Sequence, residues 1–153
     1  MTTPKNDALH LFVVLSRASQ WVSAHAFRDI RLSGLNPTEY GVLELLYHKG
    51  PHPLQQIGDK ILMTSGNITY VVDKLASKEL VVRTPSRDDR RVSFAEITPK
   101  GRKLIEEAFP RHQAVLENAV QGLTPEERQQ AIRLLKKLGM AAQEQYTKSL
   151  GGE

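Results

Sequence analysis

Apolar residues recur every three or four positions along most of the chain, which is typical of amphipathic helices and predicts a mainly α-helical fold. Six helices are predicted, and they cover residues 8–32, 37–49, 54–61, 65–77, 99–121 and 125–148. Residues 80–83 and 92–97 are β-branched or aromatic runs on either side of a polar turn, so they predict a two-stranded hairpin. Residues 50–53, Gly-Pro-His-Pro, are expected to end the second helix, because proline interrupts helical hydrogen bonding.

Capping signals mark where several of these helices begin. Residues 36–39, Asn-Pro-Thr-Glu, combine an N-cap, a proline at the first helical position and a glutamate that can complete a capping box. Residues 124–127, Thr-Pro-Glu-Glu, repeat this arrangement before the last helix. Thr64 and Thr98 are the predicted N-caps of the fourth and fifth helices.

The first helix has apolar residues on nearly every side instead of along one stripe. Residues 9–15, Leu-His-Leu-Phe-Val-Val-Leu, show this most clearly. A helix that is apolar all round needs cover beyond its own domain, because a single packing face leaves the other sides in water. We therefore expect a partner chain to cover this helix.

The composition narrows the class of protein. With 153 residues, 40% apolar and 25% charged, the chain fits one compact globular unit. It has no cysteine, which excludes disulfides, thiolate metal sites and thiol redox switches. Neither a signal peptide nor an apolar run of the roughly 20 residues that a membrane span needs appears in the sequence, so we expect a cytoplasmic location and no membrane partner.

Positive charge is concentrated around the predicted hairpin. Between residues 83 and 103 there are seven basic residues, at 83, 87, 90, 91, 100, 102 and 103, against three acidic ones, at 88, 89 and 96. That excess of four positive charges equals the net charge of +4 of the whole chain. The charges of the remaining residues therefore cancel, and the positive electrostatic field lies in the segment that would contact phosphates.

The start of the fourth helix carries small or hydrogen-bonding side chains on the side away from the core. Such groups suit a helix in the DNA major groove, where the backbone and the base edges must approach closely. The alternative is that residues 65–67 merely cap a structural helix. The candidate DNA-binding residues of this recognition helix are Thr64, Ser65, Gly66, Asn67, Thr69, Tyr70 and Lys74.

The predicted hairpin tip, residues 86–91, holds three arginines and two aspartates. Asp89 can hold the Arg91 guanidinium extended, and a narrow minor groove has a negative potential that attracts it. Arg87 and Arg90 would meet the phosphate backbone and supply salt-sensitive affinity. The alternative is a surface cluster of salt bridges.

The order of these features resembles the MarR family of bacterial transcriptional regulators over residues 8–148. The resemblance rests on the segments Val71-Val72-Asp73-Lys74-Leu75, Val81-Val82-Arg83, Asp89-Arg90-Arg91 and Ile97-Thr98-Pro99-Lys100-Gly101. It implies a homodimer formed by the N- and C-terminal helices, with two recognition helices in successive major grooves and the wing arginines in flanking minor grooves. Glu79 departs from the family, which usually has a glycine there, so the turn after the recognition helix is expected to be built differently.

The resemblance implies a fold class and a domain organisation. The fold is mainly α with a small β-wing, a winged helix-turn-helix flanked by N- and C-terminal dimerisation helices. Residues 1–35 form the N-terminal dimerisation helix, 36–101 the winged helix-turn-helix, and 102–153 the C-terminal dimerisation helices, all within one compact unit. The function implied is a dimeric regulator that reads a pseudo-palindromic operator on double-stranded DNA.

Regulators similar to this chain commonly act as repressors and release DNA when a small aromatic or phenolic molecule binds. Residues 8–12 and 36–39 are also similar to the quinone- and hydroquinone-responsive members of the family. The resemblance and the apolar character of the leading helices, with a few polar groups, define a candidate ligand pocket. Its candidate residues are His10, Phe12, Trp21, Tyr40, Glu44 and His48.

Other classes of function find little support in the sequence. His48 and His52 are four residues apart, but Gly50, Pro51 and Pro53 keep them off one regular helix, so no metal site is expected. A glycine-rich phosphate loop and a Ser-His-acid arrangement do not appear, and neither an enzyme nor a cofactor is expected. The alternative function is a winged helix that serves as an architectural or protein-binding module without reading DNA sequence.

Overall fold

The structure, a computed structural model, describes residues 4–61 and 65–151, and the side chains of residues 7–61 and 67–151. The described residues form a mainly helical protein with a small sheet, which confirms the predicted fold class. The helices are α1 (Pro4–Arg31), α2 (Pro37–Lys49), α3 (Leu54–Lys60), α4 (Ser65–Ser77), α5 (Pro99–Ala119) and α6 (Pro125–Gly151). The strands are β1 (His52–Pro53), β2 (Val81–Pro85) and β3 (Ser93–Ile97).

The sheet contains one strand more than the predicted two-stranded hairpin. Its strand order is β1-β3-β2, and both pairings are antiparallel. The additional strand is β1, in which His52 pairs with Ala95 and Pro53 with Phe94. A proline can occupy such a short edge strand, where it need not donate a ladder hydrogen bond.

The chain divides into two compact units, one that ends at Glu117 and one that begins at Asn118. The first unit contains α1 to α4, the sheet and most of α5. The second contains α6, none of whose described side chains is buried within the single chain. Within residues 4–61 and 65–151, no helix combines the length and the apolar character needed to cross a membrane.

The core of the first unit is built around one face of α4. Four apolar side chains of α4 are buried there, and they are Ile68, Val71, Val72 and Leu75. They pack in one cluster with buried side chains of α2 and α3, among them Leu43, Leu46 and Ile57. The spacing of three and four residues puts these α4 positions on one side of the helix, as the sequence predicted.

The predicted capping boxes are present. The Asn36 side chain accepts the backbone N–H of Glu39 at 2.8 Å, and the Glu39 carboxylate accepts the Asn36 N–H at 3.1 Å. Thr124 and Glu127 repeat this exchange before α6, at 2.9 and 3.2 Å. These reciprocal hydrogen bonds satisfy N–H groups that the first helical turn cannot pair, and so they fix where α2 and α6 begin.

Glu39 also joins α2 to the C-terminal end of α4. Its second carboxylate oxygen lies 2.9 Å from the Lys78 ammonium, and the residue is only 2% exposed. Burial raises the pKa of Glu39, but the hydrogen bonds from Asn36 and Lys78 outweigh it and hold the pKa below the usual 4.5. A charged, buried carboxylate thus connects the start of α2 to the end of α4.

A second buried carboxylate connects α1 to α5. Asp29, 4% exposed, accepts hydrogen bonds from Arg111 Nε at 2.7 Å and His112 Nδ1 at 2.9 Å. Arg111 also donates to the Ser33 hydroxyl at 3.0 Å. Burial raises the pKa of Asp29, but the hydrogen bonds from His112 and Arg111 outweigh it, so the pKa lies below the usual 3.8. These contacts join residues about 80 positions apart in the sequence.

The turn after α4 contains the only described non-glycine residue with a positive φ, Glu79 at 63°. The turn thus has the left-handed geometry that glycine favours, although the sequence led us to expect a different construction because glycine is absent. Two contacts hold it: Leu80 N–H donates to the Leu75 carbonyl at 3.0 Å, and Thr98 Oγ1 donates to the Glu79 carbonyl at 2.7 Å. Thr98 also caps α5, since its hydroxyl accepts the Gly101 N–H at 3.0 Å.

Gly101 is required by close packing. A Cβ at this position would collide with the carbonyl oxygen of Leu80 and would lie 2.9 Å from Cγ1 of Ile97. We expect Gly101→Ala to reduce the free energy of unfolding by roughly 1–3 kcal/mol, as overpacking does. Urea unfolding measures the change. Gly41→Ala is the control, because a Cβ there meets nothing within 4 Å, and an equal loss in both variants would contradict the close approach.

Asp29 makes the stability of the protein sensitive to acid. Its folded pKa lies below the 3.8 of the unfolded chain, so its stabilisation is present above pH 3.8 and is lost as the pH falls through the folded pKa. We expect Asp29→Asn to be less stable than wild type at pH 7 and to lose less stability as the pH falls from about 5 to 2. Urea unfolding across this range tests it. The exposed Asp59→Asn control should retain the wild-type slope, and a wild-type slope in Asp29→Asn would refute the assignment.

Candidate nucleic-acid interface

The face of α4 opposite the core is open to solvent. Asn67, Thr69, Tyr70 and Lys74 are all exposed there, while the intervening apolar positions are buried. The Lys74 ammonium lies 5.8 Å from the centre of the Tyr70 ring, close enough for a cation–π contact. The structure therefore places these four predicted recognition residues together on one accessible helical surface.

The beginning of α4 is described only in part. The predicted N-cap, Thr64, lies outside the described residues. Ser65 and Gly66 form the first positions of the helix, but the burial and side-chain contacts at these positions lie outside the described part. The geometric evidence for the recognition surface therefore rests on residues 67–77.

The wing is the hairpin of β2 and β3 with its connecting turn. Arg87, Arg90 and Arg91 are exposed in that turn. Asp89 accepts both the backbone N–H of Arg91, at 3.0 Å, and its Nε, at 3.2 Å. The carboxylate thus holds the start of the Arg91 side chain as the sequence suggested, while 92% of that side chain remains exposed. The contact orients the guanidinium without burying it.

The turn of the wing has hydrogen bonds of its own. Ser86 N–H donates to the Val92 carbonyl at 2.8 Å and closes the turn. The Ser86 hydroxyl accepts the backbone N–H groups of Asp88 and Asp89 at 3.2 and 3.4 Å. Serine and threonine hydroxyls commonly order turns in this way. The arginine-rich segment therefore has a defined local conformation.

An ion pair connects the wing to α4. Arg83, on β2, donates from Nη1 to Asp73 at 2.5 Å and from Nη2 to the Ser93 hydroxyl at 3.3 Å. Asp73 thereby ties α4 to both strands of the hairpin. Because both charged side chains are partly exposed, the pair adds little to stability, but its geometry sets the direction of the wing relative to α4.

The candidate ligand residues are separated in the single chain. His10, Phe12 and Trp21 are exposed on α1, with Phe12 and Trp21 at 68%. Glu44 and His48, on α2, lie 3.9 Å apart and are also exposed. The structure brings these last two together but leaves the α1 residues in solvent.

Tyr40 differs from the other candidate ligand residues because it is buried, at 4% exposure. Its ring centre lies 5.2 Å from that of His112. Burial raises the pKa of Tyr40, and the nearby Glu44 and Asp29 carboxylates raise it further. The phenol therefore stays protonated and neutral at physiological pH, next to the Asp29 contacts.

His52, the second of the two histidines considered as metal ligands, is occupied by protein contacts. Its Nδ1 lies 2.6 Å from the Gly50 carbonyl and its Nε2 lies 3.1 Å from the Lys60 ammonium. A lysine ammonium can only donate, so Nε2 accepts and Nδ1 carries the proton. Across residues 4–61 and 65–151, the structure brings no three His, Asp or Glu side chains close enough to hold a metal ion.

Several polar contacts that join different helices and strands were not predicted from the sequence. Asp29, Arg83 and Arg111 each contact a residue of another element, and the periodicity of one element does not reveal which other element it will meet. His112 lies on α5 at the spacing of an apolar position, but its imidazole donates to a buried carboxylate. Only the helical spacing of Asp73, which points away from the core, signalled that the α4 partner of Arg83 was accessible.

The sequence matches known transcriptional regulators over most of its length. The model of the MarR family matches residues 35–93. The HTH-type transcriptional regulator MhqR of Bacillus subtilis is 52% identical over 141 residues, which cover 92% of this chain and 97% of that protein. The HTH-type transcriptional regulator YkoM of the same organism is 45% identical over 136 residues, which cover 89% and 88% of the two chains.

Solved structures with the same fold include proteins bound to DNA. Sco3205, a MarR family transcriptional regulator from Streptomyces coelicolor in complex with DNA, has a TM-score of 0.80 at 19% identity and covers 92% of this chain and 90% of that one. A mutant MarR from E. coli complexed with operator DNA has a TM-score of 0.79 at 20% identity, with coverage of 90% and 99%. These two likenesses show the fold alone.

A third structural neighbour, BpsR of Bordetella bronchiseptica, is more similar to this chain in sequence than those two proteins. Its DNA binding is regulated by 6-hydroxynicotinic acid, and its structure has a TM-score of 0.77 at 27% identity. The match covers 85% of this chain and 98% of that one.

Proposed function

The chain belongs to the MarR family of DNA-binding transcriptional regulators, and on that premise we propose that it acts in the cytoplasm as a homodimeric repressor that reads a pseudo-palindromic operator and is released by a small aromatic or phenolic ligand. Regulators of this family are not enzymes. The observation that carries the proposal is the accessible face of α4 beside a wing whose Arg91 is held by Asp89.

The geometry of α4 and the wing suits duplex DNA. Asn67 and Tyr70 offer hydrogen-bonding groups to base edges in the major groove, the Thr69 hydroxyl can bond either a base edge or a phosphate, and Lys74 offers a charge to phosphate. Arg91 extends from the wing, where an adjacent minor groove would attract its guanidinium. Arg87 and Arg90 would add contacts to the backbone that weaken with salt.

The homodimer is supported by exposed apolar side chains on the terminal helices. On α1 they include Leu9, Leu11, Phe12, Val14 and Trp21, each more than half exposed. On α6, a separate set of large apolar side chains is exposed, namely Ile132, Leu134, Leu135, Leu138, Met140, Tyr146 and Leu150. Exposure of this extent is rare on monomeric proteins, and a second copy of the chain is the partner that we propose for both faces.

The aromatic ligand is supported by the residues around α1 and α2 and by one relative. His10, Phe12, Trp21, Tyr40, Glu44 and His48 combine aromatic surface with polar groups, the composition of a site for a small phenolic molecule. Regulation of the DNA binding of BpsR by 6-hydroxynicotinic acid is a precedent for a hydroxylated aromatic effector. The resemblance of residues 8–12 and 36–39 to quinone- and hydroquinone-responsive members makes hydroquinone the first compound to test.

Selection from random DNA tests the proposed readout. The purified protein is incubated with a pool of random duplexes at near-physiological salt, and the retained sequences are determined. We expect a two-fold symmetric motif with half-sites about one helical turn (~10 bp) apart, because a dimer presents two recognition helices. Retention without enrichment would favour an architectural module, and no retention would favour a protein partner.

Arg91→Ala tests the wing. We expect affinity for the selected operator to fall roughly tenfold at near-physiological salt. The slope of log K against log salt should become shallower by about 0.9 for each wing, because binding then releases one counterion fewer for each arginine that is removed. Fluorescence anisotropy across a salt series measures both. Lys49→Ala, which removes an exposed cation at the end of α2, is the control. Equal affinity of Arg91→Ala and wild type would refute the wing assignment.

Displacement of the operator tests the ligand. Under anoxic conditions we expect hydroquinone to release the labelled operator, whereas cyclohexane-1,4-diol, with the same hydroxyls but no aromatic ring, should not. Phe12→Ala should raise the required concentration roughly ten- to a hundredfold, since an aromatic side chain that a ligand buries contributes about 1.5–3 kcal/mol. If both compounds act equally, or if Phe12→Ala responds like wild type, the aromatic pocket is refuted.

A further inference from the structure

We propose that the cleft between α3, α4 and the wing binds one phosphate of the DNA backbone, and that Gln55 of α3 positions the duplex there through an uncharged hydrogen bond. The proposal rests on the proposed DNA-binding function and adds to it a residue of α3. In this assignment the reading unit contacts DNA at three places: α4 in the major groove, the wing in the minor groove, and the cleft on the strand between them.

The cleft is a cavity of about 320 Å³ whose walls come from three elements. Its polar lining consists of Gln55 from α3, Thr69 from α4, and Arg83, Arg91 and Ser93 from the wing. The apolar floor includes Leu54 and Ile68, which are 8% and 1% exposed. A rigid apolar floor below a rim of hydrogen-bonding side chains fixes the positions of the polar groups.

The short strand β1 brings Gln55 to this place. Pro53 pairs with Phe94 in the sheet, and α3 begins at the next residue, Leu54. Gln55 is therefore carried to the end of β3 where Ser93 begins the strand. The strand that the sequence pattern missed is thus what puts an α3 side chain beside the wing.

The described lining of the cleft suits an anion. It contains no carboxylate, and two of its five polar side chains are guanidinium groups, each paired with an aspartate outside the lining. Asp73, the acidic residue of α4 near the wing, is already paired with Arg83 at 2.5 Å. Because the Ser93 hydroxyl accepts from Arg83 at 3.3 Å, its own hydrogen is free to donate elsewhere. The Gln55 amide and the Thr69 hydroxyl add further donors.

The position of the cleft indicates which part of DNA it would meet. A recognition helix in the major groove and a wing in the adjacent minor groove are separated on the duplex by one sugar–phosphate strand. The cleft lies between the exposed Thr69 of α4 and the exposed Arg91 of the wing. The Gln55, Thr69 and Ser93 donors of the cleft therefore face that DNA strand, whose phosphate oxygens accept hydrogen bonds from glutamine, threonine and serine.

A contact to phosphate differs in a measurable way from a contact to a base. Phosphates are the same at every position, so losing a phosphate contact weakens binding to all duplexes equally. Glutamine carries no charge and releases no counterion, so its loss should leave the salt dependence unchanged. A base contact would instead alter the preference among operator variants.

The test compares Gln55→Ala with Gln56→Ala. Gln56 is the adjacent, exposed residue of α3 and is absent from the lining of the cleft, so it is a matched control. We expect Gln55→Ala to weaken binding about three- to tenfold for each protomer that contacts the duplex, on both operator and random DNA, the loss typical of one hydrogen bond, with an unchanged slope of log K against log salt. Gln56→Ala should bind like wild type. Fluorescence anisotropy at several salt concentrations measures these quantities.

A chemical change in the DNA provides the second arm. Replacing the phosphates of the operator one at a time by uncharged methylphosphonates should weaken wild type at the position that the cleft contacts. At that position the same replacement should weaken Gln55→Ala less than it weakens wild type, because the hydrogen bond is already lost.

The outcomes separate this proposal from the proposed function. If wild type and Gln56→Ala bind the operator and Gln55→Ala binds equally well, the phosphate site is overturned while the regulator function stands. A changed preference among operator variants with unchanged affinity for random duplex would overturn it in favour of a base contact. If wild type binds no duplex at all, both proposals fail together.

Discussion

The structure depends on one constraint: α4 has to bury one face and expose the other. Ile68, Val72 and Leu75 are at most 1% exposed, and their burial against α2 and α3 supplies the hydrophobic stabilisation that holds these three helices together. The same packing leaves Tyr70 and Lys74 in solvent. Because a helix advances 100° per residue, the buried face and the exposed face of α4 are fixed together. A rotation of α4 that exposed the core residues would bury Tyr70 and Lys74.

Polar contacts fix the orientation that hydrophobic packing leaves approximate. The hydrophobic effect has no direction, whereas charged hydrogen bonds require particular distances and angles. Lys78 binds the buried Glu39 at the C-terminal end of α4, and Asp73 binds Arg83 of the wing. Together they tie α4 to α2 on one side and to the hairpin on the other. α4 and the wing are thereby held in one arrangement relative to each other.

The sequence was most informative where the signal is local. The capping boxes at residues 36–39 and 124–127 were predicted and are present, because their hydrogen bonds join residues three apart. The contact of Asp89 with Arg91 followed from a spacing of two. The sequence did not predict β1 (His52–Pro53), because an edge strand of two residues has no periodicity and is defined only by its pairing with β3. The contact of His112 with Asp29 was not predicted for a similar reason, since the two residues are 83 positions apart.

By itself, the sequence determined the six helices, the hairpin, the resemblance to the MarR family and the concentration of positive charge at the wing. These follow from periodicity, capping and composition, which act over a few residues and can be read along the chain. Tertiary structure alone decided that Asp29 and Glu39 would be buried charges, that Gly101 would press against Leu80, and that Gln55 would line a cleft with the wing. Those arrangements depend on how distant segments pack, and no local pattern specifies which residues will meet.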